Sequence, residues 1–197
     1  MLEDLNPKEV FHYFEELAQI PRCSGNEKQA SDYLVDFAKQ RKLEVSQDKA
    51  LNVIIKKPGT AGYEDSPAVI IQGHMDMVCE KSKGSRHDFS KDPIPLKIEG
   101  DLVQADGTTL GADNGIAVAY GLAILDSADI PHPPLELLVT TSEETGMNGA
   151  HALKAGHLKG KTLLNIDAEE EGVLFVSCAG GVDLVSEFDT QTDINCS

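Results

Sequence analysis

The stretch Val69-Ile70-Ile71-Gln72-Gly73-His74-Met75-Asp76-Met77-Val78 decides the fold that the sequence predicts. Its first three residues are apolar and β-branched, which is typical of a buried strand. The strand leads into His74 and Asp76, an imidazole and a carboxylate on the same side of an extended chain. Open α/β sheets keep their sites at the carboxyl ends of strands, so a metal-binding nitrogen is predicted there. A buried histidine beside a capping aspartate fits the same pattern.

Predicted helices and strands alternate along the rest of the chain. Apolar residues at helical spacing predict helices that open at Asn6-Pro7-Lys8-Glu9 and at Ser24-Gly25-Asn26-Glu27. Two further helices are predicted after Gly115 and between Gly149 and Ala155. The predicted strands cover residues 43–45, 51–55, 69–73, 135–140 and 163–166, with a hairpin over 96–98 and 102–104 and a further pair over 173–177 and 182–188. This alternation indicates an α/β fold.

Length and charge restrict the class of protein. The chain has 197 residues, enough for one sizeable core and at most two small domains. Its formal net charge is -16, from 33 acidic and 17 basic residues, which argues against binding to nucleic acid or to an anionic membrane surface. No apolar run has the length of a membrane span, and the start, Met1-Leu2-Glu3-Asp4, does not resemble an export signal. We therefore expect a cytoplasmic protein.

The four cysteines, Cys23, Cys79, Cys178 and Cys196, are far apart in the sequence. No pair has the C-x-x-C spacing of a zinc ribbon or a redox motif. In a cytoplasm we expect all four to be reduced thiols. Cys178 follows an apolar run and is a candidate nucleophile of a cysteine hydrolase, but a thiol that packs as a small hydrophobe fits the same position.

Four separate segments place an acid or a histidine close to a strand end or a helix start. The candidate residues are His74, Asp76, Asp113, Glu143, Glu144 and Asp167. Imidazole nitrogen and carboxylate oxygen suit zinc, manganese or cobalt, and converging carboxylates would repel one another without a divalent cation. Two alternatives remain open here: Asp113 fits the N-cap of the next helix, and Glu143 with Glu144 fits a solvated turn.

The two adjacent glutamates predict a division of roles. Neighbouring residues of an extended chain point to opposite sides, so Glu143 and Glu144 should serve different purposes. A two-metal hydrolase holds its ions about 3.5–4 Å apart and needs one carboxylate that bridges them. It needs another, not bound to metal, that takes the proton from the attacking water. Because the metals bring the pKa of that water towards about 7, a glutamate is a suitable base.

These residues, in this order, resemble the M20 family of di-zinc peptidases, and within it the group of aminoacyl-histidine (Xaa-His) dipeptidases. The likeness runs from about Leu5 to Asp183. The stretches that carry it, besides Glu143-Glu144, are Gln72-Gly73-His74-Met75-Asp76-Met77-Val78, His87-Asp88-Phe89-Ser90-Lys91-Asp92-Pro93-Ile94, Gly107-Thr108-Thr109-Leu110-Gly111-Ala112-Asp113-Asn114-Gly115, Asp167-Ala168-Glu169-Glu170-Glu171-Gly172 and Cys178-Ala179-Gly180-Gly181. The resemblance implies a three-layer zinc-peptidase-like α/β fold with a mixed central sheet flanked by helices.

The resemblance also implies a role for each candidate residue. The implied ligands are His74 and Asp167 for the first metal, Glu144 for the second, and Asp113 as the bridge between both. Glu143 would be the general base, and Asp76 would orient His74 through its other ring nitrogen. The implied cofactor is a pair of divalent ions, zinc in first place and manganese or cobalt as alternatives. The implied reaction is hydrolysis of unblocked dipeptides of the Xaa-His type by a metal-activated water.

The end of the chain departs from the family pattern. Family members carry an inserted lid or dimerisation domain and a distal histidine for the second metal, whereas this chain has no histidine after His157. We therefore expect residues 1–187 to be the N-terminal segment of an incomplete catalytic domain, and 188–197 to be the hinge towards the lid. The full-length protein would be a homodimer through that lid, with a small peptide as substrate. The alternatives are an M20-type tripeptidase, a deacylase of N-acyl amino acids, and a fragment that binds metal without catalysis.

Overall fold

A five-stranded mixed sheet with flanking helices forms the centre of the protein. The computed structural model describes residues 1–168, 170–177, 180 and 185–188. The strands are β1 (Glu44–Gln47), β2 (Val53–Lys57), β3 (Val69–His74), β4 (Leu96–Glu99), β5 (Leu102–Ala105), β6 (Leu135–Thr140) and β7 (Thr162–Asn165). The helices are α1 (Lys8–Ala18), α2 (Lys28–Gln40), α3 (Ala112–Asp126) and α4 (Asn148–Ala152).

The central sheet has the strand order β1-β2-β6-β3-β7, and β4 and β5 form a separate hairpin. β3 runs parallel to both β6 and β7, whereas β1 and β2 are antiparallel to their neighbours. The register aligns His74, the last residue of β3, with Thr140, the last residue of β6. Because the three parallel strands end at one edge, the segments that carry Asp76, Glu143 and Asp167 begin side by side.

The two faces of the sheet are covered by different parts of the chain. One face joins α1, α2 and α3 in the main core, to which the strands contribute Val53, Ile55, Ile71, Leu135, Leu137 and Val139. The opposite face packs against the segment after α4, in a cluster of Ile54, Ile70, Leu138, Leu153 and Leu158. This alternation follows from the two-residue period of a strand. The mixed sheet with helices on it confirms the predicted α/β class.

α3 is buried over more of its surface than the predicted stripe implies. Ala119 and Ala123 of that stripe are buried, and Ile116 and Ile124 are half-buried against the core. The helix also buries Ala117, Val118, Gly121, Leu122 and Leu125. Gly121 permits this packing, because a Cβ there would clash with the methyl groups of Leu137. The helix therefore packs directly against the sheet, and this packing sets the position of its first turn.

The first two helices begin close to their predicted starts. α1 begins at Lys8 with Pro7 in the N-cap position, one residue later than the predicted cap at Asn6. α2 begins at Lys28, directly after the predicted opening segment. In the described part of the chain, no helix combines the length and the apolar composition that crossing a membrane requires.

The described residues after Asp167 belong to a unit separate from Met1–Asp167. Its described residues, 168, 170–177, 180 and 185–188, contain no helix or strand. The predicted strands at 173–177 and 185–188 are therefore wrong, because their apolar side chains are exposed and a strand needs a neighbour to complete its hydrogen bonds. Residues 178, 179, 181–184 and 189–197, which include Cys178, Cys196 and most of the predicted hinge, lie outside the described residues.

Cys23 and Cys79 form a disulfide, so the expectation of reduced thiols is wrong for this pair. Their Cα atoms are 5.6 Å apart although 56 residues separate them in sequence. The contact arises because Cys23 pairs with Met77 in a parallel β-bridge, which brings the loop before α2 alongside the continuation of β3. Sequence spacing alone does not report such a long-range pairing.

Candidate metal centre

His74 lies at the carboxyl end of β3 with only 1% of its surface exposed. Its Nε2 faces three carboxylates: Asp113 Oδ1 at 3.1 Å, Asp167 Oδ1 at 3.8 Å and Glu143 Oε2 at 3.9 Å. His74 is thus buried beside Asp76, as the alternative of a buried histidine beside a capping aspartate expects, and it also faces carboxylates, as the predicted metal site requires. One ring nitrogen points into a cluster of acids that comes from three other segments of the chain.

Asp76 lies behind His74 and is fully buried. His74 Nδ1 is 3.1 Å from the backbone oxygen of Asp76 and 3.4 Å from its Oδ1. The carboxylate also accepts the backbone N–H groups of Glu143 and Glu144 at 3.1 and 3.3 Å, and the hydroxyl of Ser24 at 2.7 Å. Burial raises the pKa of Asp76, but the hydrogen bonds from His74, Ser24 and Glu143 outweigh it, so the pKa is lowered. Asp76 is therefore a charged carboxylate that hydrogen-bonds both the turn of Glu143 and Glu144 and the loop of Ser24.

Asp113 enters the cluster from the first turn of α3. α3 opens after Gly111, at φ 69, a left-handed conformation that favours glycine, and its backbone is irregular at Asp113 and Asn114 before the regular turns begin. Asp113 itself has non-helical angles of φ -79 and ψ 111. Its side chain is 58% exposed, which leaves carboxylate oxygen free for a ligand in addition to its contact with His74.

Among the described residues, two sets of three side chains come close enough to hold a metal ion. The sets are His74 with Asp113 and Glu144, and His74 with Glu143 and Asp167; in each, the candidate ligand atoms lie within 4.8 Å of one another. One imidazole and four carboxylates fit zinc, manganese or cobalt. Both glutamates are within ligand reach, so distances alone do not separate the predicted base from the predicted ligand.

Two acids of the cluster, Glu144 and Asp167, have raised pKa values. Burial raises the pKa of Glu144, and the charges of Asp113 and Glu143 raise it further against the opposing effect of His74. Burial likewise raises the pKa of Asp167, with the charges of Asp113 and Glu143 adding to it. For His74, burial lowers the pKa, but Asp76, Asp167 and Asp113 raise it to about 9. A divalent cation would relieve this crowding of negative charge.

Asn114 connects three of the segments, and sequence reasoning did not assign it a role. Its Oδ1 accepts the backbone N–H of His74 at 3.2 Å. Its Nδ2 donates to the backbone oxygen of Ile166 at 2.5 Å and to Asp167 Oδ1 at 3.2 Å. The only local signal was its position beside Asp113, which does not reveal partners 40 and 53 residues away.

Two further buried residues, Glu27 and Arg22, hydrogen-bond the segments at this edge of the sheet, and the sequence patterns did not indicate either of them. Glu27, before α2, accepts the backbone N–H and the hydroxyl of Ser142 at 3.0 and 2.8 Å, and so ties down the turn that carries Glu143. Arg22 donates to backbone oxygens of two segments of the site. Both lie near the second predicted helix start, where the sequence pattern indicates capping rather than a site.

The chain is similar to known peptidases along most of its length. It is 44% identical over 185 residues to the cytosol non-specific dipeptidase of Escherichia coli (strain K12), covering 94% of this chain and 38% of that protein. The structure of aminoacylhistidine dipeptidase from Vibrio alginolyticus has a TM-score of 0.85 at 45% identity, over 87% of this chain and 35% of that one. A tripeptidase from Staphylococcus aureus has a TM-score of 0.70 at 25% identity, over 84% and 44%.

The chain thus spans less than half the length of each of these three relatives. The sequence profile described as Peptidase family M20/M25/M40 matches residues 70–184, which is more than half of the chain and contains His74, Asp113 and Asp167. The chain belongs to the M20 family of peptidases.

Proposed function

We propose that the protein hydrolyses the peptide bond of unblocked dipeptides of the Xaa-His type, with two divalent metal ions, zinc in first place. One observation carries the proposal: His74 Nε2 faces Asp113, Asp167 and Glu143 within 3.9 Å at the end of three parallel strands. The dipeptide as substrate class is supported by the names of the Escherichia coli and Vibrio alginolyticus relatives.

The proposed metal ligands are His74 and Asp167 for one ion, Glu144 for the other, and Asp113 for both. When bound, such ions supply positive charge that polarises the scissile carbonyl and lowers the pKa of water towards about 7. Asp76 holds the ring of His74 from behind, so that Nε2 remains free for a ligand.

Glu143 is the proposed general base. It takes the proton from the attacking water and delivers it to the amine that leaves. Its backbone N–H is held by Asp76 at 3.1 Å, and its side chain is partly shielded from solvent. The chain therefore keeps a carboxylate beside the cluster in a fixed position, as proton transfer requires.

We also propose that the protein works in the cytoplasm and that the full-length protein forms a homodimer through its lid domain. The cellular location is supported by the name of the Escherichia coli relative, a cytosol dipeptidase. The dimer follows from the family resemblance. Light scattering on the purified full-length protein tests it, and a single monomeric species would contradict it.

A hydrolysis panel tests the proposed reaction. Xaa-His dipeptides, other dipeptides, tripeptides and N-acetyl amino acids are incubated with the metal-loaded protein, and the released amines are quantified. We expect unblocked dipeptides to be cleaved fastest, with loss of activity on chelation and recovery when zinc, manganese or cobalt is added back. Asp36→Asn, an exposed change on α2, serves as the control that should behave as the unmodified protein.

Each other result of the panel points to a different function. Preference for an acylated substrate would make the protein a deacylase, and preference for a longer peptide would make it a tripeptidase. Bound metal without turnover would identify a metal-binding protein. Activity that survives chelation but not thiol alkylation would overturn the metal mechanism altogether.

A further inference from the structure

Arg22 is the largest fully buried side chain in the described part of the chain, with 2% of its surface exposed. It lies in the loop between α1 and α2, far in sequence from every candidate ligand. Nη1 donates to the backbone oxygens of Met75 at 3.1 Å and Asp76 at 3.4 Å, and Nη2 donates to the backbone oxygen of Gly111. All of these acceptors lie within two residues of a candidate site residue.

The guanidinium fills the space between the end of β3 and the start of α3. A Cβ at Gly111 would lie 2.5 Å from Nη2, and one at Gly115 would lie 2.7 Å from it. Both glycines therefore leave room for this side chain. The backbone of Arg22 also contacts the segment after β3, because its oxygen accepts the N–H of Met77 at 3.1 Å.

The charge of Arg22 is buried close to the acids of the cluster. Its hydrogen-bond acceptors are neutral backbone carbonyl groups, so these hydrogen bonds do not occupy any carboxylate of the cluster. Burial lowers its pKa to about 10, while the charges of Asp76 and Asp113 act to raise it. The group is therefore protonated at neutral pH, and its positive charge offsets part of the repulsion between the acids.

We propose that Arg22 is a positioning residue of the metal centre, which clamps the segment of Asp76 to the segment of Gly111 and so sets the separation of His74 and Asp113. A planar fork with several donors can hold two segments at once, which a single ammonium does less well. The inference rests on the proposed function, since it concerns the binding of the metal.

Zinc affinity of two variants tests the clamp. Metal-free Arg22→Met and Arg22→Lys proteins are titrated with zinc in competition with a chromophoric chelator, at a temperature where each is folded by circular dichroism. We expect Arg22→Met to bind zinc about 10–100-fold more weakly than the unmodified protein, and Arg22→Lys to fall in between. With a dipeptide substrate, the loss should be restored in part by excess zinc.

Leu34→Ala is the matched control, because Leu34 is fully buried in the same core on α2 and contacts no site residue by hydrogen bond. It should lower the melting temperature and leave zinc affinity within about twofold of the unmodified protein. Equal weakening in Leu34→Ala and Arg22→Met would show a general effect of destabilisation and overturn the proposal.

An Arg22→Met protein that binds zinc within about twofold of the unmodified protein would also overturn it. If that variant does not fold, Arg22→Lys decides by the same criterion. Failure of the unmodified protein to bind zinc is a separate result, which would contradict the proposed function and remove the basis of this inference.

Discussion

His74 and Asp76 form a buried pair in which Asp76 offers two oxygen acceptors to Nδ1 of His74. Nδ1 of His74 is 3.1 Å from the backbone oxygen of Asp76 and 3.4 Å from its Oδ1. Because these oxygens hold a proton on Nδ1, Nε2, which faces Asp113 Oδ1, is the nitrogen that would give up its proton when a metal ion binds. The pair therefore selects the tautomer that a metal ligand needs.

Replacing Asp76 by Asn should weaken metal binding about 10–100-fold, because the amide is a poorer partner for Nδ1–H and for the N–H groups of Glu143 and Glu144. Equilibrium dialysis against zinc measures the effect. Asp36→Asn, an exposed change on α2, is the control and should bind as the unmodified protein. Unchanged zinc affinity in Asp76→Asn would refute the orienting role.

Glu143→Ala and Glu144→Ala should separate base from ligand. We expect Glu143→Ala to retain its metal and to lose about 10²–10⁴-fold in kcat, because proton transfer is lost. Glu144→Ala should instead lose metal from one site. Metal content by atomic absorption and dipeptide kinetics measure both. Loss of metal in Glu143→Ala would show that Glu143 is a ligand, a role that its distance of 3.9 Å from His74 Nε2 also permits.

Asp113→Ala should empty both metal positions together, since Asp113 is the proposed bridge. Metal stoichiometry of the purified variant measures this, and loss of one ion alone would contradict the bridging role. Asp126→Ala, at the other end of α3 in the same structure, provides the control. It disturbs the helix far from the cluster and should leave the stoichiometry unchanged.

Gly73→Ala should damage the site through backbone packing. A Cβ at Gly73 would lie 2.5 Å from Asn114 Oδ1 and 2.9 Å from Ala117 Cβ, so α3 would have to move away from β3. We expect a loss of about 1–3 kcal/mol in the free energy of unfolding, together with weaker zinc binding. Gly121→Ala crowds Leu137 in the same interface away from the cluster, and should cost stability without changing zinc affinity.

Stability in acid should depend on Asp126. Its hydrogen bond from Arg41 lowers its pKa below 3.8, helped by Tyr13 and opposed by burial. A lowered pKa in the folded state stabilises the protein above the unfolded value, and this contribution is lost as the pH falls through the folded pKa. Because the side chain of Asp126 is 41% exposed and solvent screens the pair, Asp126→Asn should be less stable by only about 0.2–1 kcal/mol at neutral pH.

The difference between Asp126→Asn and the unmodified protein should shrink as the pH is lowered below about 4. Urea unfolding at a series of pH values measures it, with Asp65→Asn as an exposed control. A difference that stays constant with pH would show that the effect comes from packing and not from the charge of the carboxylate.

Much of the fold followed from local patterns in the sequence. β3, β6 and the hairpin were predicted within a residue or two, because the period and the β-branched composition of a strand are local properties. The prediction failed at 173–177, where the same composition occurs without a described neighbouring strand. The six candidate site residues were also chosen from the sequence, since each follows a strand or opens a helix.

By itself, the sequence determined which side chains are candidate ligands and which elements carry them, because side-chain chemistry and periodicity are properties of each residue and its near neighbours. The tertiary structure alone decided that His74, Asp113, Glu143 and Asp167 meet within 3.9 Å, since parallel strands must pair before their ends share an edge. It also decided the hydrogen-bond partners of Arg22 and Asn114 and the pairing of Cys23 with Cys79. Those contacts join residues about 40 to 90 positions apart, a separation that no local pattern can encode.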